Sequence, residues 1–87
     1  MTAMTREAIR ALVADTLGAI APEVDLATIA PKEPLRAQVD IDSFDFLKVI
    51  IRLSERLKVD IPEADYGELM TLDGMLDYLA KKQAAAG

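Results

Sequence analysis

Apolar residues recur at three- and four-residue spacing in separate stretches of the chain, and nowhere do they alternate with polar residues as a half-buried strand requires. The first stretch runs from about Arg6 to Ile20, where Ile9, Leu12, Val13, Thr16, Leu17 and Ile20 share one helical face. Thr5 is placed to cap it, and Pro22 lies just past its end, where a helix cannot easily continue. A second helix is expected from about Ser43 to Lys58, with Asp42 as its N-cap and Asp45 adding negative charge to the first turn. Pro62 opens a short third helical piece with Gly67 near its end. Thr71 then caps a last helix in which Leu72, Met75, Leu76 and Leu79 share a face.

Between the first two helices lies a long connection, Pro22 to Asp40, with three prolines (Pro22, Pro31, Pro34). Its scattered apolar residues suggest packing against the body, with room for one short helical turn and no strand. A loop of this length in a small domain is uncommon and often functional. The expectation is an all-α, small four-helix bundle: three main helices, a short third helix and a long loop between helices one and two. The chain reads as one domain over 1–87, with a core of about 5–82 and a tail, 83–87, that frays.

On a wheel of about 100° per residue, Phe46, Val49, Ile50, Leu53 and Leu57 form the core stripe of the second helix. Phe44, Leu47 and Ile51 form a second apolar sector on the side of Ser43, and Asp45, Lys48, Arg52, Glu55 and Arg56 fill the remainder. Two arrangements fit this extra apolar width. Another helix covers the second stripe, or the stripe is a charge-rimmed patch beside Ser43 that meets a partner or opens to an acyl chain.

Composition narrows the chemistry. The 87 residues include no cysteine and no histidine, which removes disulfides, thiolate metal sites and the commonest general base. No carboxylate pair at fixed spacing takes their place, so no catalytic residues are assigned and the chain is not read as an enzyme. With 15 acidic and 10 basic residues the net charge is −5, the wrong sign for a nucleic-acid backbone. No apolar run approaches membrane-spanning length and no signal pattern opens the chain, so a soluble, cytoplasmic protein is expected. Asp40-Ile41-Asp42 imitates the start of a calcium loop, but Phe44, Asp45 and Ile51 stand where a ligand, a glycine and the closing glutamate belong, so no metal site is assigned. Charge is uneven: Asp60 to Asp77 holds six acids and no base, whereas Asp42 to Lys58 holds three acids and four bases.

Asp42-Ser43 ahead of an apolar helix is by itself an ordinary capping signal. The ordered set is more specific. Val39-Asp40-Ile41-Asp42-Ser43-Phe44-Asp45-Phe46 is followed by Leu53-Ser54-Glu55-Arg56-Leu57, then Ile61-Pro62, then Met70-Thr71-Leu72-Asp73-Gly74-Met75-Leu76-Asp77-Tyr78-Leu79. At these spacings the second half resembles the acyl carrier proteins, from about Leu35 to Leu79, with agreement only in layout before it. The resemblance implies that Ser43 carries a covalent 4'-phosphopantetheine derived from coenzyme A, with Asp42 as motif residue and helix cap. The thiol that the chain lacks would then come from the cofactor.

The same resemblance implies a set of partners. These are a phosphopantetheinyl transferase, an acyl- or aminoacyl-loading ligase or transferase, and a downstream synthase or acyltransferase, meeting a monomer. By matched position Phe44, Leu47, Ile51 and Ile61 would face partners or line an acyl cavity, and Asp45, Lys48, Arg52, Glu55 and Arg56 complete the partner-binding surface. Departures from the family pattern are the missing glycine before Asp42 and Lys58 in place of the glycine that commonly follows helix two. Family members that serve fatty-acid synthesis typically have an acidic helix two, whereas Lys48, Arg52 and Arg56 form a basic i, i+4, i+8 line here. That line points to a specialised carrier for an acyl, aminoacyl or polyketide-type thioester, with partners of acidic or mixed surface. The alternative is an unmodified helical interaction module in which Ser43 is only a cap.

Overall fold

The computed structural model describes residues 5–86. Four α-helices follow one another: α1 (Arg6–Ile20), α2 (Leu35–Gln38), α3 (Ser43–Leu57) and α4 (Leu72–Ala86). Two 3₁₀ segments, Leu26–Thr28 and Glu63–Leu69, lie between them. The expected all-helical bundle is what the chain forms, with Glu63–Leu69 as the short third helix. No described helix is long and apolar enough to cross a membrane.

The caps act as their residue types dictate. Thr5 Oγ1 accepts from Ala8 N–H at 3.1 Å, Asp42 Oδ1 from Asp45 N–H at 2.8 Å, and Thr71 Oγ1 from Gly74 N–H at 3.0 Å. Each satisfies a first-turn donor that the helix cannot. Gly74 is required by a close approach. A Cβ there would stand 2.7 Å from the Glu68 carbonyl oxygen and 2.9 Å from the capping Thr71 Oγ1. At its other end α3 stops at Leu57, one residue before the expected end, and Lys58 caps it in the left-handed region (φ 56°, ψ 44°). A glycine would hold that conformation without a Cβ penalty. Ser54 secures the stop: its carbonyl accepts from Val59 N–H at 3.1 Å and its hydroxyl donates to the Val59 carbonyl at 2.6 Å.

One core joins these elements. Ile9, Val13 and Leu17 of α1, the α3 stripe Phe46, Val49, Ile50, Leu53 and Leu57, and Met75, Leu76 and Leu79 of α4 are all buried. α1 packs on both α3 and α4, and α4 packs on the 3₁₀ segment Glu63–Leu69. Leu69 is buried with the same cluster.

The long connection is pinned rather than loose. It holds two helical turns, Leu26–Thr28 and α2, where one was expected. Leu26, Ile29, Leu35 and Val39 enter the core. Leu35 N–H donates to the Met70 carbonyl at 2.8 Å, and Asp73 N–H to the Pro31 carbonyl at 3.0 Å, tying the loop to the start of α4. Gln38 stitches the loop to itself, its amide accepting from Ala30 N–H at 2.7 Å and donating to the Ala30 carbonyl at 3.0 Å.

Two expectations are corrected. The tail expected to fray from Gln83 continues α4 to Ala86, because alanines are the strongest helix formers; Gly87 lies outside the described residues. Ile61, expected to face partners or line an acyl cavity, is 8% exposed and belongs to the core cluster, so it is not part of an exposed partner-facing surface. It is drawn inward with Val59 as the chain turns from α3 into the 3₁₀ segment.

Candidate functional site

The start of α3 gathers most of the residues that the sequence singles out. Asp42 is extended (φ −90°, ψ −178°) and spends its side chain on the cap. Ser43, the first helical residue, is exposed, and its hydroxyl makes no hydrogen bond among the described residues. The fold thus leaves this hydroxyl available for chemistry and gives the structural task to its neighbour. First-turn N–H groups of a helix lack intrahelical partners and carry the positive end of the dipole, which suits a phosphodiester on Ser43. The donor set fits the expected group.

The second apolar stripe of α3 is uncovered. Phe44 is 76% exposed, Ile51 48% and Leu47 37%. Phe44 projects beside Ser43, while Leu47 also lines an open, predominantly apolar groove of about 550 Å³. Ser43, Phe46, Leu47 and Ile50 form one wall of this groove; Glu63 and Tyr66 of the 3₁₀ segment, with Met70, form the other. That second wall was not singled out in the sequence. Its signal was available in the spacing: after Pro62, residues three apart eclipse on a 3₁₀ helix, so Glu63 and Tyr66 stand on one side.

Charge on α3 differs in detail from a simple basic line. Lys48 Nζ lies 3.9 Å from Asp45 Oδ1, and Arg56 Nη1 donates to Asp15 Oδ2 of α1 at 2.5 Å. Arg52 and Glu55 make no ion pair among the described residues. The structure therefore gathers Asp45, Lys48, Arg52 and Glu55 beside the stripe and turns Arg56 toward α1. The acidic segment that follows is tied down at Asp65, which accepts from the Tyr78 hydroxyl at 2.6 Å. Burial of the phenol raises the Tyr78 pKa well above its ordinary value, and the hydrogen bond to Asp65 adds to the shift.

The head of α3 thus sets an exposed, unengaged serine beside an apolar groove. Residues 7–79 match the family model described as the phosphopantetheine attachment site. The chain belongs to the acyl carrier protein family.

The carrier is 32% identical to an acyl carrier protein of Thermosynechococcus vestitus, over 91% of each chain. It is 30% identical to the polyketide-8 synthase acyl carrier protein 2 of Streptomyces avermitilis, over 93% of this chain and 87% of that one. Its fold is similar to a solution structure from Anaplasma phagocytophilum described as an acyl carrier protein. That likeness has a TM-score of 0.76 and 26% identity, and covers 94% of this chain and 96% of the other. Family members are non-catalytic carriers that meet phosphopantetheinyl transferases and biosynthetic enzymes, and phosphopantetheine is their cofactor.

Proposed function

We propose that Ser43 is the phosphopantetheine attachment site and that the carrier serves a specialised pathway. The observation that carries the first part is the division of labour at the head of α3: Asp42 caps the helix while the Ser43 hydroxyl stays exposed and unengaged. In a transferase, Ser43 Oγ gives up its proton and attacks the pantetheine-side phosphorus of coenzyme A; the P–O bond of the pyrophosphate breaks, adenosine 3',5'-bisphosphate leaves, and the phosphopantetheinyl group stays on Ser43, with Asp42 presented alongside. The arm supplies the thiol on which an acyl, aminoacyl or polyketide-type cargo rides as a thioester.

Charge on α3 supports the specialised reading. Arg52 makes no ion pair among the described residues, and Lys48 and Arg56 offset Asp45 and Asp15. The face is mixed to basic rather than acidic, which disfavours enzymes that recognise acidic carriers. One relative, 30% identical, is named as an acyl carrier protein of a polyketide synthase, which is consistent with this reading. In this reading the carrier is a cytoplasmic monomer. Phe44, Leu47 and Ile51 contact a loading enzyme and a downstream synthase or acyltransferase in turn, with Lys48, Arg52 and Glu55 setting orientation.

The test is the intact mass of the protein after incubation with coenzyme A and a broad-specificity phosphopantetheinyl transferase, with Ser43→Ala alongside. The parent gains one phosphopantetheine and the variant gains none. A folded parent that gains nothing would leave Ser43 as an unmodified residue of an interaction module.

A further inference from the structure

We propose that the groove beside Ser43 selects an oxygenated acyl chain, one bearing a hydroxyl or keto oxygen, over a plain alkyl chain, and that Tyr66 is the residue that selects. This deepens the reading of Ser43 as the attachment site and rests on it.

Most of the groove lining is apolar, through Phe46, Leu47 and Ile50 on the α3 wall and Met70 on the other. The opposite wall carries two polar groups, the Tyr66 phenol and the Glu63 carboxylate. Neither is used by the fold. Tyr66 is partly buried and packs on the core through its ring, yet its hydroxyl finds no partner among the described residues. Glu63 makes no ion pair or hydrogen bond there either. The other tyrosine, Tyr78, is buried and spends its hydroxyl on Asp65, so an unspent phenol is particular to the groove.

Three-residue spacing in a 3₁₀ helix sets Glu63 and Tyr66 one above the other along the same wall. An alkyl chain lying in the groove would strip water from the half-buried Tyr66 phenol and from the groove side of the exposed Glu63 carboxylate, and return nothing, a cost that falls mainly on the phenol. A chain hydroxyl replaces both lost bonds, accepting from the Tyr66 O–H and donating to the Glu63 carboxylate. A keto oxygen replaces the first. Apolar surface with a few placed polar groups is the general form of a selective pocket.

The test uses the full chain. A broad-specificity transferase loads it from hexanoyl-coenzyme A and, separately, from 3-hydroxyhexanoyl-coenzyme A, giving two forms that differ by one oxygen. Intact mass reports loading first, and a folded parent that takes neither group overturns the Ser43 reading itself. Loaded forms are then compared by NMR of the two tyrosine rings and by Tm. The hydroxyacyl form shifts the Tyr66 ring signals while those of Tyr78 stay in place. It also melts about 4–8 °C above the hexanoyl form, the gain expected for roughly one hydrogen bond in a domain of this size. Tyr66→Phe keeps the ring and should load normally while losing most of that difference; Glu63→Gln reduces it. Equal Tm values for the two loaded parents, unmoved Tyr66 signals, or a difference that survives in Tyr66→Phe would each overturn the proposal.

Discussion

The Tyr78 hydroxyl donates to Asp65 Oδ2 at 2.6 Å, joining α4 to the 3₁₀ segment that walls the groove. A buried phenol paired with a carboxylate holds its proton more tightly in the folded state than in the unfolded chain, where the value is 10.0. The stabilisation is therefore complete below about pH 10 and is lost as pH rises through the higher folded value. Tyr78→Phe should cost about 1.5–3 kcal/mol at neutral pH, as expected for a hydrogen bond to a charged acceptor. Urea unfolding at pH 8 and pH 11 checks the sign: the gap between parent and variant narrows at the higher pH.

Lys58 holds a left-handed backbone that favours glycine. Lys58→Gly relieves the Cβ contact, though it adds entropy to the unfolded chain, and should stabilise by about 1 kcal/mol. A higher urea midpoint with an unchanged slope would be the signature.

Gly74 has the opposite character. An added methyl group would press on the Glu68 carbonyl and displace the hydroxyl that caps α4. Gly74→Ala should destabilise by about 1–3 kcal/mol despite the better helix propensity of alanine, readable as a lower Tm.

At the head of α3, Asp42→Ala removes the cap and should cost about 1 kcal/mol, whereas Ser43→Ala should leave thermal stability nearly unchanged. Comparable losses in the two variants would mean that Ser43 shares the capping work.

Reversing Lys48, Arg52 and Arg56 together to glutamate should leave loading of Ser43 intact and improve docking to a ketosynthase built for acidic carriers. The salt dependence of that binding should steepen. Arg56→Glu also sets two carboxylates, its own and Asp15, against each other across α1 and α3, so a modest fall in stability accompanies the change.

Much of this was legible in the sequence because it is local. The bounds of α1, the caps Thr5, Asp42 and Thr71, and the buried stripe of α3 follow from short-range spacing and hydrogen-bonding chemistry. What escaped is what depends on elements meeting. Ile61 looks like a surface residue when read along the motif, and only the turn from α3 into the 3₁₀ segment draws it into the core. Arg56 reads as one of three aligned cations, but its partner, Asp15, lies on another helix. The Tyr78–Asp65 bond likewise arises where separate segments pack, and although the spacing of Glu63 and Tyr66 is local, the groove they wall exists only where the 3₁₀ segment meets α3.

The long connection meets α4 through main-chain atoms, Leu35 to Met70 and Asp73 to Pro31. Such a clasp does not read side chains. The exposed run from Pro31 to Pro34 can therefore be rewritten, by drift or by an engineer, without giving up the bonds that hold the loop. Within one scaffold, a stretch free to vary is fastened by atoms that every residue type shares, so a lineage of such chains can change its outer loop without loosening its hold on α4.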